Sequence, residues 1–164
     1  MADIVLRPSW RFVLRHPAHF IAFGGGVGLA PFAPGTFGTL LALPLYWWIG
    51  RQLEPVWFLL LVAGLFALGV WACGVAGRAI GASDHGGMVW DEVVAFLAVL
   101  FFVPATLPWQ ASAFLLFRAF DILKPPPIPY YERTFRSGFG VMLDDVVAAF
   151  YTLIVLAVAK TIIE

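Results

Sequence analysis

The chain reads as an all-α, polytopic membrane helix bundle, one domain spanning 1–164, with about five transmembrane or membrane-embedded helices. Composition is the first reason: 62% of the 164 residues are hydrophobic, 12% are charged, and mean hydropathy is +0.90, far more apolar than a soluble domain of this size. The second is a series of apolar runs broken by Gly and Pro. The third is where the acids lie. Six of the ten carboxylates sit in three short islands, around Asp84 to Glu92, at Asp121 and at Asp144-Asp145, each against an apolar run. An ionised carboxylate beside hydrocarbon costs several kcal/mol unless paired, solvated or bound to a cation, so such islands mark a functional site.

The elements follow in order. Residues 1–20 carry Arg7, Arg11 and Arg15 interleaved with Trp10, Phe12, Val13 and Leu14, which reads as an interfacial or flexible arm against an anionic leaflet. Those arginines occupy the place where a secretory signal needs its apolar core, so no cleavable signal is expected. Two glycine-rich stretches follow, Gly24-Gly25-Gly26-Val27-Gly28 and Pro34-Gly35-Thr36-Phe37-Gly38-Thr39. The second opens the first span, Thr39 to Gly50. Val56 to Ala76 and Val146 to Ile163 are each close to the ~20 residues that cross a bilayer. Val93 to Val103 and Ala111 to Leu123 are shorter, so they are expected to borrow length from the islands, reaching back to about Gly87 and forward past Lys124. Pro104, Pro108 and Trp109 mark the turn between them, and Pro125-Pro126-Pro127-Ile128-Pro129 reads as a stiff extended exit. Cys73, the one cysteine, lies in an apolar run and reads as a small buried hydrophobe.

Basic residues set the orientation. With the N-terminus inside and five spans, Arg7, Arg11, Arg15, Arg78, Arg118, Lys124, Arg133 and Arg136 fall on the cytoplasmic side, leaving Arg51 and Lys160 outside. All three acidic islands then meet at the cytoplasmic face. Balanced charge, ten basic against ten acidic residues, argues against nucleic acid as a partner.

Asp91, Glu92, Asp121, Asp144 and Asp145 cannot all ionise together without a cation between them. Without a Cys or His cluster at zinc spacing, a hard ion such as Mg2+ fits. Helical neighbours diverge by about 100°, so one acid of each adjacent pair is expected to ligate; Asp91, Asp121 and Asp145 are the favoured ligands, with Glu92 and Asp144 as candidate bases. Arg118, Asp121 and Lys124 step by three along one helix surface and present two cations for a phosphate, although snorkelling basic residues would show the same spacing. Backbone amides at Gly35 and the Thr36 and Thr39 hydroxyls can cradle an anion at a helix N-terminus; close helix packing and capping by Thr36 explain the same residues. The glycines form neither a Walker loop nor a dinucleotide fingerprint. His85 is a candidate proton shuttle or a bystander in its loop.

Val89-Trp90-Asp91-Glu92 after Asp84-His85-Gly86, Phe117-Arg118-Ala119-Phe120-Asp121-Ile122-Leu123-Lys124-Pro125, Gly138-Phe139-Gly140-Val141-Met142-Leu143-Asp144-Asp145 and the early Pro34-Gly35-Thr36-Phe37-Gly38-Thr39 together resemble the phosphatidylglycerophosphatase A family over residues 22 to 155. Pro126 and Ser137 depart from it, standing where an aromatic and a glycine are usual, and neither is a charged motif residue. The resemblance implies a magnesium-dependent lipid phosphatase of the bacterial inner membrane that converts phosphatidylglycerophosphate to phosphatidylglycerol and inorganic phosphate. Its expected mechanism is in-line attack by water with Glu92 or Asp144 as base and Arg118 and Lys124 neutralising charge, against the alternative of an aspartyl-phosphate. An ion-coupled carrier, a CDP-alcohol-dependent phospholipid synthase and a non-catalytic membrane partner are the rivals. The carrier should show repeats and midplane charges, the synthase motif is missing, and an inert partner leaves the islands unexplained.

Overall fold

A computed structural model describes residues 8–163, so Arg7 of the expected cytoplasmic set lies outside the described residues. The regular structure of these residues is all helical, with no strand among them: α1 (Trp10–Leu14), α2 (Pro17–Ala22), a 3-10 segment (Gly24–Leu29), α3 (Pro34–Trp48), a short 3-10 turn, α4 (Pro55–Ile80), α5 (Trp90–Phe102), α6 (Leu107–Leu123), α7 (Ile128–Thr134) and α8 (Gly138–Ile163). By length and composition α4 and α8 can cross a membrane, with mean hydropathies of 2.4 and 2.3. They are the two longest runs of the sequence, extended by a turn or two. Proline opens α4, where the missing N–H has no partner to lose, and Gly81 closes it in the left-handed region, its N–H donating to the Gly77 carbonyl at 2.9 Å.

The arrangement centres on α5. Asp91 through Leu97, Val99 and Leu100 are all buried, as expected for a helix that is apolar all round, with α3, α4 and α8 packed about it. Phe96 anchors one part of the core against Phe117 of α6, with ring centroids 5.4 Å apart. The Trp90 indole N–H donates to the Leu65 carbonyl of α4 at 3.1 Å and fixes the depth of the first turn of α5. A second cluster joins Ala72, Cys73 and Ala76 of α4 to Val13, Ala18 and Phe23, so residues 10–23 fold as a two-helix flap against α4.

Three boundaries differ from the sequence expectation. α5 begins at Trp90 instead of Gly87, and α6 stops at Leu123; its added length lies at the other end, at Leu107. Surrounded by protein, α5 has no need to match a hydrocarbon thickness by itself. Lys124 ends α6 with φ 44°, a left-handed backbone. The proline run after it is a turn and not the expected extended exit: the Ile128 N–H donates to the Pro125 carbonyl at 3.0 Å, and Ile128 starts α7 with Pro129 in its first turn, where proline is tolerated.

Glycine permits the closest approach of α4 and α8. A side chain at Gly138 would overlap the Val70 carbonyl and come within 2.5 Å of the Gly74 nitrogen. Gly64, in α4, faces open space. Gly138→Ala is expected to lower the thermal midpoint in detergent by several degrees, consistent with the ~1–3 kcal/mol of overpacking. Gly64→Ala should leave it unchanged or slightly raised, because alanine is the better helix former. Intrinsic fluorescence melts of the two variants make the comparison.

Candidate active site

The site is built where the first turn of α5 meets the second and third turns of α8. Asp91, Glu92 and Asp145 each bring a carboxylate oxygen to within 4.8 Å of the others, and all three side chains are buried. Asp91 Oδ1, Glu92 Oε2 and Asp145 Oδ2 are shielded from solvent with no hydrogen-bond donor. Buried carboxylate oxygens that lack donors and crowd one another are matched by a shared proton or a cation, and an all-oxygen donor set suits a hard divalent ion. These residues can hold such an ion.

Adjacent acids do diverge on α8. Asp145 enters the trio, whereas Asp144 turns toward Lys124, with Oδ2 and Nζ 4.0 Å apart. On α5 they do not. The extra methylene of Glu92 lets it reach the point that Asp91 reaches, so the residue expected as a base stands among the candidate ligands. Asp121, expected as a ligand, stands outside the trio, and its Oδ2 accepts from Arg118 Nη1 at 2.5 Å.

Arg118 ties the acids to the start of α3. Its Nη1 is also 3.6 Å from Glu92 Oε1, and the guanidinium is largely buried. Gly35, in the first turn of α3, lies against both: a Cβ there would overlap Glu92 Oε1 and sit 3.0 Å from Arg118 Nη2. Only hydrogen fits. The N-terminus of a helix of 15 residues, with its partial positive charge, is thus brought to a buried arginine; Pro34 has no N–H and the Thr36 N–H donates to the Ala33 carbonyl at 3.0 Å. Thr36 is half-buried in the same turn. Thr39 is fully buried one turn deeper and donates its hydroxyl to the Gly35 carbonyl at 2.9 Å, a bond that holds the shape of that turn.

Lys124 stands at the rim, about a third exposed, opposite Asp144. His85 sits in the loop before α5, where its Nδ1 accepts the Gly87 N–H at 3.0 Å; in that tautomer the ring proton is on Nε2. The first glycine stretch packs on this loop. Gly28 has no room for a side chain against the Gly87 carbonyl, and Gly24, Gly25 and Gly26 all take positive φ. Ser83, Asp84 and Ser137 line a small polar cleft with Asp144. Sequence reasoning had not singled them out for a role, although Asp84 lies in an island and Ser137 is a departure from the resemblance.

A family model described as phosphatidylglycerophosphatase A matches residues 20–160. A Haemophilus influenzae protein named Phosphatidylglycerophosphatase A is 43% identical over 150 residues, 90% of this chain and 91% of the relative. One of the same name from Escherichia coli K12 is 37% identical, covering 84% of this chain and 80% of the relative. A Bacteroides thetaiotaomicron protein named "Putative phosphatidylinositol-3-phosphatase" is 39% identical, covering 96% and 98%. No solved structure matches the chain.

The trio makes a direct claim about cation binding. Mg2+ or Mn2+ is expected to raise the thermal midpoint in detergent, by about 2.7 kcal/mol of linkage at a hundredfold excess over Kd. Asp145→Asn and Asp91→Asn should each remove most of that cation-dependent shift while leaving the cation-free midpoint equal or higher, since one of three crowded like charges is gone. Melts across a cation titration give both quantities.

Proposed function

The chain belongs to the phosphatidylglycerophosphatase A family, and we propose on that basis that it hydrolyses the terminal phosphate monoester of phosphatidylglycerophosphate, giving phosphatidylglycerol and inorganic phosphate. The observation that carries this reading is one juxtaposition: three buried carboxylates, an arginine and the open first turn of a long helix share one end of the bundle. The proposal includes Mg2+ as cofactor, held by Asp91, Glu92 and Asp145 with Asp121 adjoining. When bound, the ion offsets charge on the phosphoryl oxygens and makes water more acidic.

The chain's own groups divide the remaining work. Arg118 and the Gly35 amide bind the phosphate and meet the negative charge that grows on its oxygens. Thr36 adds a hydroxyl in the same turn; Thr39 is assigned to holding that turn. Asp144, beside the cleft of Ser83 and Ser137, takes a proton from the attacking water as the new P–O bond forms. The bond to the glycerol oxygen breaks with its electron pair, and Lys124 protonates that oxygen. His85 is assigned to shaping its loop.

The same proposal sets the chain in the bacterial inner membrane. α4 and α8 cross fully, while α3, α5 and α6 are embedded beside them. The acidic end faces the cytoplasm on this reading, which the excess of basic residues at that end supports. A phospholipid then presents its phosphate at the plane of the site without leaving the bilayer.

With purified protein in detergent, phosphatidylglycerophosphate should release phosphate in Mg2+ and stop doing so in chelator. Asp91→Asn, Asp145→Asn and Arg118→Ala should each lower kcat at least ~100-fold. Release that ignores Mg2+, or survives all three substitutions, refutes the assignment. Phosphatidylinositol 3-phosphate serves as the competing substrate, and a higher kcat/KM for it would move the activity to that head group.

A further inference from the structure

Resting on the reading of the substrate as a phospholipid, we infer that one acyl chain of that lipid lies in the groove between α3 and α6. The groove has a volume of about 560 Å³ and is walled by Leu40, Leu43 and Trp47 of α3 and Ala111, Phe114 and Leu115 of α6. Gln110 is its polar member, and the Trp47 indole N–H donates to Gln110 Oε1 at 3.2 Å, bracing the two walls.

Helical register connects this groove to the phosphate site. On α6, Leu107, Ala111, Phe114 and Arg118 recur at intervals of four, three and four, so the groove's stripe ends on the guanidinium. On α3, Thr36, Leu40, Leu43 and Trp47 form the matching stripe, which ends in the turn holding Gly35. Leu40 is five residues from Gly35, about 7 Å at ~1.5 Å per residue. A lipid whose phosphate lies at Arg118 therefore meets the groove directly below its head group. Leu115 is 68% exposed and Leu40 40%, so the groove opens sideways and a chain can slide in from the bilayer.

A second groove, between α6 and α8, runs on another face. Its α6 residues are Pro108, Trp109, Ser112, Leu115 and Leu116; Leu115 lines both grooves, and the stripe of Pro108, Ser112 and Leu116 continues to Ala119 and Phe120, which carry no charge. On α8 it begins at Val155, ten residues or about 15 Å beyond Asp145. Of these two grooves, the one beside α3 has charge at its head and apolar continuity below.

Filling the groove should therefore cost chain recognition. Ala111→Trp and, from the other wall, Leu40→Trp are expected to lower kcat/KM on dipalmitoyl phosphatidylglycerophosphate about tenfold, the loss of two or so buried methylenes. They should also lower the preference for that substrate over its dihexanoyl analogue. Ser112→Trp, in the second groove, should retain the wild-type preference. Photolabelling the wild-type protein with a dipalmitoyl-length lipid bearing a diazirine in the acyl chain should place label on residues 40–47 and 107–115, and the Trp variants should lose it. A wild-type protein that releases phosphate, with an unchanged chain-length preference in both filled variants or label spread evenly over α4 and α8, overturns the groove alone. No phosphate release from the wild type overturns the substrate reading instead.

Discussion

Three buried carboxylates share one end of an apolar bundle, and most other features of the fold serve to hold them there. Two ionised groups 4.8 Å apart repel by roughly 3 kcal/mol at an effective dielectric near 20. That repulsion is opposed by rigid packing. Trp90 fixes α5 to the α4 backbone, the buried side chains of α5 leave it no freedom to slide, and Gly138 lets α8 lie against α4 at backbone contact. Asp91, Glu92 and Asp145 are thus held close by the apolar core, not by attraction to each other. A helix system that accepts this arrangement is organised around the ion or proton that relieves it.

Missing side chains matter as much as present ones. At Gly35 a methyl group would occupy the space between Glu92 and Arg118, and at Gly28 it would push the loop carrying His85 away from the segment beneath it. Both positions place backbone where a ligand or a second backbone must come close. The consequence is an arginine flanked on one side by carboxylates and on the other by the start of α3. Under the proposed function Arg118 exchanges part of its contact with Glu92 or Asp121 for the phosphate.

The sequence made the apolar runs of α4 and α8 legible because each is long and apolar enough to cross a membrane. It made the acidic set legible because charge beside hydrocarbon demands a partner, and it made the Arg118–Asp121 pair legible because three residues is a helical spacing. The roles within the set were less readable. Glu92 joins Asp91 because of one methylene and a side-chain torsion, neither of which periodicity encodes. The ends of α5 and α6 were misplaced because membrane thickness was used as the ruler, whereas for α5, enclosed by other helices, tertiary packing sets the limit. The resumption of helix at Ile128 was hidden by prolines, which stop a helix but also start one.

Charge accounting sets the order in which such a site fills. Asp91, Glu92, Asp121, Asp144 and Asp145 face two cations, Arg118 and Lys124, so the fully ionised site carries a net charge of −3. A phosphate monoester brings up to two more negative charges. Arg118 alone cannot draw it in, because its positive charge is already shared by Asp121 and Glu92. One divalent cation still leaves the site negative; a second, or protons held between crowded carboxyl groups, reverses that balance. Positive charge therefore has to enter before the phosphate or with it. Under the proposed function the carboxylates collect the cation first, and Arg118 and the α3 N-terminus then meet the anion.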